Sequence, residues 1–235
     1  AEERLARLDK ARRLMAANKI DALVLTGGSS LEYFTGVRWG LSERMFGAVI
    51  PAKGSPLYIS PAFEEDRARE LIDNAPEGKS AKVLVWQEDE SPYTLVGRGL
   101  RESGNAAGRI GIEETVRFVF SNGIAQALPA AKIVDATPVT AGCRRTKSAA
   151  ELALMKLANE VTLAAYEAAW QGVKDGMTHF EFGGLISQAH ARLGFPGSAM
   201  VLVNEGAALP HGTVKPQVIR EGSLVLIDGG CGVEG

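Results

Sequence analysis

Residues 224–230 read Leu-Val-Leu-Ile-Asp-Gly-Gly, in which four apolar side chains precede a single carboxylate and two glycines. A short apolar run that ends at a glycine turn predicts a buried strand. Asp228 would then stand at the strand end, where a metal ion or a polar substrate could meet its carboxylate. An Asp in such a place also commonly caps a glycine turn, and this stretch alone leaves both interpretations open.

A second polar residue of interest lies in residues 209–212, Leu-Pro-His-Gly. Proline and glycine on either side predict a loop, and a loop histidine is more often exposed than packed. His211 is therefore a candidate functional residue, although most loop histidines are merely solvated.

Composition excludes several classes of function. The chain has 26 Lys and Arg against 28 Asp and Glu, so no basic field favours nucleic acid as a partner. It has two cysteines without CxxC spacing, which argues against a disulfide framework and a structural zinc site and favours the cytoplasm. No apolar run approaches the ~18 residues of a membrane span, so no membrane partner is expected. The missing initiator Met leaves a removed leader open.

The first part of the chain alternates helical and strand patterns. Apolar residues at helical spacing near the start are followed by strand-like runs, and similar units recur up to about residue 140. Such alternation predicts an α/β layer domain with a largely covered sheet. We therefore expect an α/β domain over residues 1–140 and a second domain over residues 141–235.

The second part begins with two helix-start signals. Ser148 with Glu151, and Thr178 with Glu181, each have the spacing of a capping box. They predict one helix from about Ala149 to Gly172 and another that ends near Leu193. Strands are then expected from Met200 to Val203 and from Leu224 to Asp228.

Five motifs in this order resemble those of the pita-bread metallopeptidases, the family of Xaa-Pro aminopeptidase, Xaa-Pro dipeptidase (prolidase), methionine aminopeptidase and creatinase. They occupy residues 32–36, 144–152, 176–181, 204–212 and 226–230. His179 departs from the pattern, because an acidic residue is commoner there. The resemblance implies a creatinase-like α/β N-terminal domain followed by the first part of an α+β pita-bread catalytic domain, truncated within that domain.

The resemblance also implies a chemistry. The parent protein would hydrolyse the bond before proline with two divalent ions, Mn²⁺ first and Co²⁺ or Zn²⁺ as alternatives, and no other cofactor. Asp228 would be a metal ligand, whereas His211 would donate a hydrogen bond to the substrate carbonyl or tetrahedral intermediate. A metal-bridged hydroxide would attack, and a Glu outside this chain would act as the general base.

The remaining ligands of that pattern are a second Asp roughly eleven residues after Asp228, a His and two Glu, all beyond Gly235. The supplied chain alone is therefore expected to be inactive. The expected partners are a proline-containing peptide and a second copy of the chain, since relatives with this N-terminal domain commonly dimerise. Two alternatives stay open: an inactive peptidase-like binding or dimerising module, and a creatinase-like amidinohydrolase that uses no metal.

The other two histidines are not expected to form a site. His179 and His190 share one predicted helix at positions eleven residues apart, which separates them by about 16 Å along the axis. They cannot share one ion. We expect His179 to be exposed in the first turn and His190 to be partly buried.

Overall fold

A computed structural model describes residues 2–209 and 211–235, and the chain divides into two compact units, Ala1–Thr146 and Lys147–Gly235. The expected boundary after residue 140 falls inside a helix, Thr137–Arg144, which belongs to the first unit. That helix buries Val139 and Cys143 in the hydrophobic core of the first unit.

The first unit is a six-stranded mixed sheet with helices on both faces. Its strands are β1 (Ala22–Thr26), β2 (Gly47–Pro51), β3 (Leu57–Pro61), β4 (Lys82–Trp86), β5 (Arg109–Ile112) and β6 (Lys132–Asp135). Its helices are α1 (Glu2–Ala17), α2 (Ser29–Thr35), α3 (Glu65–Ile72), α4 (Pro92–Glu102), α5 (Phe118–Ala127) and α6 (Thr137–Arg144), with 3-10 turns at Ala62–Glu64 and Gly78–Ser80.

The spatial order of the strands is β4-β3-β2-β1-β5-β6. Strand β2 runs antiparallel to both of its neighbours, and the other pairs are parallel. Every residue of β1, β2 and β3 is buried. Leu23 and Leu25 pack into one apolar cluster while Ala22 and Val24 pack into another, because successive strand side chains point to opposite faces. The expected α/β layer domain with a covered sheet is confirmed.

Two helices of this unit were not delimited by the sequence. They are α2 and α6, which span 7 and 8 residues. Two helical turns give too few apolar repeats for a periodic signal. Tertiary burial defines them instead: Leu31 and Phe34 of α2 are fully buried in the same cluster as Val139 of α6.

The second unit pairs two helices with a two-stranded sheet. It contains α7 (Ala149–Trp170), α8 (His179–Arg192), β7 (Gly197–Val203), a 3-10 helix (Asn204–Ala208) and β8 (Val225–Cys231). Strands β7 and β8 are antiparallel. One cluster of buried apolar residues in this unit consists of Ala169, Phe182, Ile186, Val201, Val203 and Ile219.

Both predicted capping boxes form. Ser148 accepts a hydrogen bond from the backbone N–H of Glu151, and the Glu151 carboxylate accepts one from Ser148 N–H at 2.7 Å. Thr178 and Glu181 make the same reciprocal pair at the start of α8. Two orphan amides at each helix start are thereby satisfied.

Over residues 2–209 and 211–235, no helix is both long enough and apolar enough to cross a lipid bilayer. Cys143 is buried and Cys231 half-buried, and both are free thiols.

The cap of α8 generates a stability prediction. Thr178→Ala removes the side-chain acceptor for the Glu181 amide and should destabilise the second unit by about 1 kcal/mol, whereas Thr178→Ser should retain most of the cap. Trp170 is the tryptophan of this unit and packs edge-on against Phe182, with ring centroids 5.8 Å apart. Urea unfolding followed by fluorotryptophan NMR at Trp170 measures the change; equal midpoints for the two variants would contradict it.

The same cap has a predictable pH dependence. Hydrogen bonds from the Thr178 backbone and side chain lower the pKa of Glu181 below its ordinary value. A carboxyl group whose pKa falls on folding contributes stability above its unfolded pKa, and the contribution disappears as pH drops through the folded pKa. The difference between wild type and Glu181→Gln should therefore be largest near neutral pH and shrink below about pH 4. A constant difference from pH 7 to pH 3 would exclude this linkage.

Candidate functional site

Asp228 lies within β8 and not at its end. Strand β8 continues to Cys231, because its partner β7 begins at Gly197 and pairs that residue with Cys231. The prediction that Asp228 ends a strand and enters a glycine turn is wrong, and so is the prediction of a strand buried on both faces. Positions along β8 alternate between half-buried and exposed over most of its length, and the Asp228 side chain is exposed.

The register of the two strands decides which face carries the carboxylate. Val201 pairs with Ile227, and both pack into the core beneath the helices. Met200 pairs with Asp228 on the opposite face, since neighbouring strand residues point to opposite sides. We call this face, which carries Met200, Leu202, Leu226 and Asp228, the open face of the sheet.

The turn that contains His211 rests on the same face. Gly212 has φ of 74°, in the left-handed region, and a Cβ at this position would lie 2.9 Å from Leu202 Cδ2. Only glycine allows both this conformation and this approach. Met200 Sδ lies 3.4 Å from the same point. The fold thus brings the two sequence motifs to one face, with Met200 between the His211 turn and Asp228. Pro210 of the motif lies outside the described residues.

A groove of about 300 Å³ adjoins this turn. Its walls come from the start of α8, from β7 and from the His211 turn. The lining residues are His179, Phe180, Gly183, Gly184, Ser187, Ala199, Met200, Val201, Leu202, His211, Gly212 and Thr213. Apolar side chains form much of the wall, and two imidazoles and two hydroxyls provide the polar groups. Asp228 is not among the lining residues.

His179 is the functional candidate that the sequence missed. We expected it to be exposed in the first turn of a helix, but it is only 6% exposed. The segment 217–219 runs beside residues 177–179 through an antiparallel bridge between Thr178 and Val218 and covers the ring. Because this pairing joins residues about forty positions apart along the chain, no local pattern could have revealed it.

Two main-chain groups of Gln217 hold the His179 ring. Gln217 N–H donates to Nδ1 at 3.1 Å, and Gln217 O lies 3.2 Å from the same nitrogen. These contacts fix the orientation of the His179 ring at the groove.

His190 is fully buried and lies apart from the groove. We expected partial burial, but its exposure is 0%. Nδ1 lies 3.0 Å from Ile186 O, to which it donates, and the ring packs against Gly197, where a Cβ would lie 2.5 Å from the ring. Nε2 has no hydrogen-bond partner among the residues that the structure describes. His190 is therefore a core residue of the second unit.

The Tyr166 phenol is affected by the charge of Asp228. Partial burial, and secondarily the charge of Asp228, raise the pKa of the Tyr166 phenol on α7. Within residues 2–209 and 211–235, no group of three or more His, Cys, Asp or Glu side chains is arranged to hold a metal ion. Each cation of a dinuclear site needs several hard oxygen ligands. The described side chains therefore supply only part of a site for two divalent ions.

Comparisons with known proteins agree with this architecture. Residues 7–146 match the creatinase/prolidase N-terminal domain, and residues 153–235 match metallopeptidase family M24. An uncharacterized peptidase of Schizosaccharomyces pombe is 33% identical over 243 residues, which cover 94% of this chain and 51% of that protein. The Xaa-Pro aminopeptidase of Escherichia coli is 33% identical over 108 residues, 45% of this chain and 24% of that protein.

A solved structure shows the same fold. The prolidase of Thermococcus sibiricus superposes with a TM-score of 0.82 at 20% identity, over 97% of this chain and 61% of that one. The present chain thus spans about half the length of the Schizosaccharomyces pombe protein and about three fifths of the Thermococcus sibiricus prolidase. The expected fold is confirmed: a creatinase-like N-terminal domain precedes part of a pita-bread domain. With both segments matched in order along the chain, this protein belongs to metallopeptidase family M24, in the group that carries a creatinase/prolidase N-terminal domain.

Proposed function

We propose that the protein to which this chain belongs is a metal-dependent, proline-selective peptidase, an Xaa-Pro aminopeptidase or dipeptidase that hydrolyses the bond before proline. Membership of family M24 supports a peptidase that uses divalent metal ions. Similarity to a named Xaa-Pro aminopeptidase and to a named prolidase supports the choice of proline-containing peptides as substrates.

One observation carries the proposal to particular residues. The His211 turn and Asp228 belong to different sequence motifs, yet they occupy the same open face. Met200 lies against the turn and is paired with Asp228. A histidine that serves the substrate carbonyl must stand beside the metal ligands without being one of them, and the shared face supports giving these two roles to His211 and Asp228.

His211 would act on the scissile carbonyl. Its side chain is exposed at the groove, where an imidazole N–H could donate to the carbonyl oxygen as negative charge develops there. A donor that is already in place costs no reorganisation when the charge appears. The apolar wall of the groove would seat the substrate side chain next to this donor.

The metal ions would supply the nucleophile and charge stabilisation when bound, with Mn²⁺ as our first choice. In this chain Asp228 is the carboxylate that we assign to them. One carboxylate does not hold two ions, so the proposal requires the further ligands that the resemblance implies.

The role of His211 yields a kinetic prediction. In the enzyme with its complete catalytic domain, His211→Ala should lower kcat by roughly 10²- to 10³-fold, the usual loss for one oxyanion donor, with metal content nearly unchanged. Steady-state kinetics on an Xaa-Pro peptide and elemental analysis provide the two measurements. Loss of both metal ions in the variant would instead make His211 a ligand.

A second prediction concerns metal binding by the 235-residue chain. One exposed carboxylate cannot replace the hydration shells of two cations. Calorimetric titration with Mn²⁺ should show only weak binding, and the chain should release no residue that precedes proline. Two sites of micromolar or tighter affinity would show that other groups supply the ligands; Asp228→Asn is the matched variant that attributes any binding to this side chain.

We also propose a homodimer in the cytoplasm. The dimer rests on the resemblance to relatives with this N-terminal domain, and the compartment on the two free thiols. Light scattering on the enzyme with its complete catalytic domain should give twice the monomer mass. A monomer at all concentrations up to the high micromolar range would contradict the dimer.

A further inference from the structure

The segment that carries His211 is a long loop whose two ends meet at Gln217. This His211 loop, residues 204–216, leaves β7 after Val203 and returns to the fold at Gln217. Val203 N–H donates to the side-chain Oε1 of Gln217, so the first and last anchors of the loop touch directly. A loop of this length gains order mainly from what fixes its ends.

Gln217 also fastens the loop to the start of α8. Its carbonyl accepts from His179 N–H at 3.0 Å, and its own N–H donates to His179 Nδ1 at 3.1 Å. One residue thus links two elements: it binds β7 through its side chain and the start of α8, at His179, through its main chain. Gln217 contacts His179 directly and ends the loop that contains His211, and both histidines line the same groove.

The side chain of Gln217 has little freedom to leave this position. It packs against Gly206 so closely that a Cβ there would lie 2.4 Å from Gln217 Oε1. Gln217 Nε2 is enclosed and has no hydrogen-bond partner among residues 2–209 and 211–235. An enclosed amide donor without a partner costs free energy. The hydrogen bond to Val203 and the contact with Gly206 therefore keep the Gln217 amide in this enclosed position, although its Nε2 would be better hydrated in solvent.

We infer that Gln217 is a positioning residue for His211, and that His179 contributes by holding the main chain of Gln217 in place. By tying β7 to the start of α8, Gln217 closes the His211 loop and keeps the imidazole over the groove. The importance of this for catalysis rests on the proposed function, but the effect on the loop is a property of the chain itself. The tests below separate the two.

The first test measures the order of His211 in the 235-residue chain. The chain has three histidines, so the ring signals of a ¹³C,¹⁵N-histidine sample can be assigned individually. Gln217→Leu removes the side-chain acceptor and should sharply increase the mobility of the His211 ring and cancel the hydrogen-exchange protection of the Val203 amide. Gln217→Glu, which retains an acceptor oxygen, should restore much of both.

An independent variant leaves Gln217 unchanged. Gly206→Ala should displace the amide of Gln217 and produce the same two changes. Arg220→Ala is the matched control: Arg220 belongs to the same return segment, but its ion pair with Asp175 at 3.1 Å is exposed, and its loss should change neither signal.

The His179 ring reports whether the fold survives. Its tautomer, read from long-range ¹H–¹⁵N spectra, should be the same in wild type and in Gln217→Leu because the backbone bonds to Gln217 remain. Unchanged His211 mobility in both Gln217→Leu and Gly206→Ala, with this tautomer retained, would overturn the inference. If Gln217→Leu loses the tautomer and unfolds, Gly206→Ala decides.

The second test is a double-mutant cycle in the enzyme with its complete catalytic domain. Gln217→Leu should lower kcat by roughly 10- to 100-fold, the scale of a misplaced catalytic group, with a smaller change in KM. In the His211→Ala background the same substitution should cost almost nothing, because its effect passes through His211. Equal losses in both backgrounds would exclude a positioning role. If no peptide is hydrolysed, the proposed function fails while the NMR result on the loop still stands or falls by itself.

Discussion

The register between β7 and β8 is the constraint on which the second unit depends. A strand has a side-chain period of two, so a slip of one residue would exchange its two faces. If β8 slipped, Val225 and Ile227 would leave the core under the helices, and Asp228 would enter it. Both changes are unfavourable, the first through lost apolar burial and the second through desolvation of a carboxylate. The same register that builds the core therefore sets the orientation of Asp228.

The His211 loop follows from this register. Its turn can lie on the open face because Gly212 has no side chain to collide with Leu202, which is itself buried there. The loop ends are fixed by hydrogen bonds at Gln217 and at Asn204, whose N–H and Oδ1 pair with the backbone of Leu224 at 2.9 Å each. The loop and the sheet are therefore joined by hydrogen bonds at both loop ends, while the His211 imidazole between them stays exposed.

The buried histidines show two solutions to one physical problem. A buried imidazole must hydrogen-bond its ring nitrogens or leave one unsatisfied. His179 accepts from a main-chain N–H contributed by a distant segment, and its ring reaches the groove. His190 donates to a carbonyl of its own helix and leaves Nε2 without a partner among the described residues. The two rings differ in their hydrogen bonds because different segments pack on them. For this reason His179 is a candidate functional residue and His190 is not, although they share a helix.

The sequence by itself determined the α/β character of the first unit, both capping boxes and the two motifs that hold His211 and Asp228, because these rest on local periodicity and on short-range hydrogen bonds. It did not determine the helices α2 and α6, whose two turns are too short for a periodic signal, or the extent of β8, which its partner strand sets. Only the tertiary structure decided that His179 is buried, that Gln217 closes the loop and that the turn carrying His211 rests on the face that carries Asp228. Each of these depends on contacts between segments remote in the chain, and their energy is invisible to any local pattern.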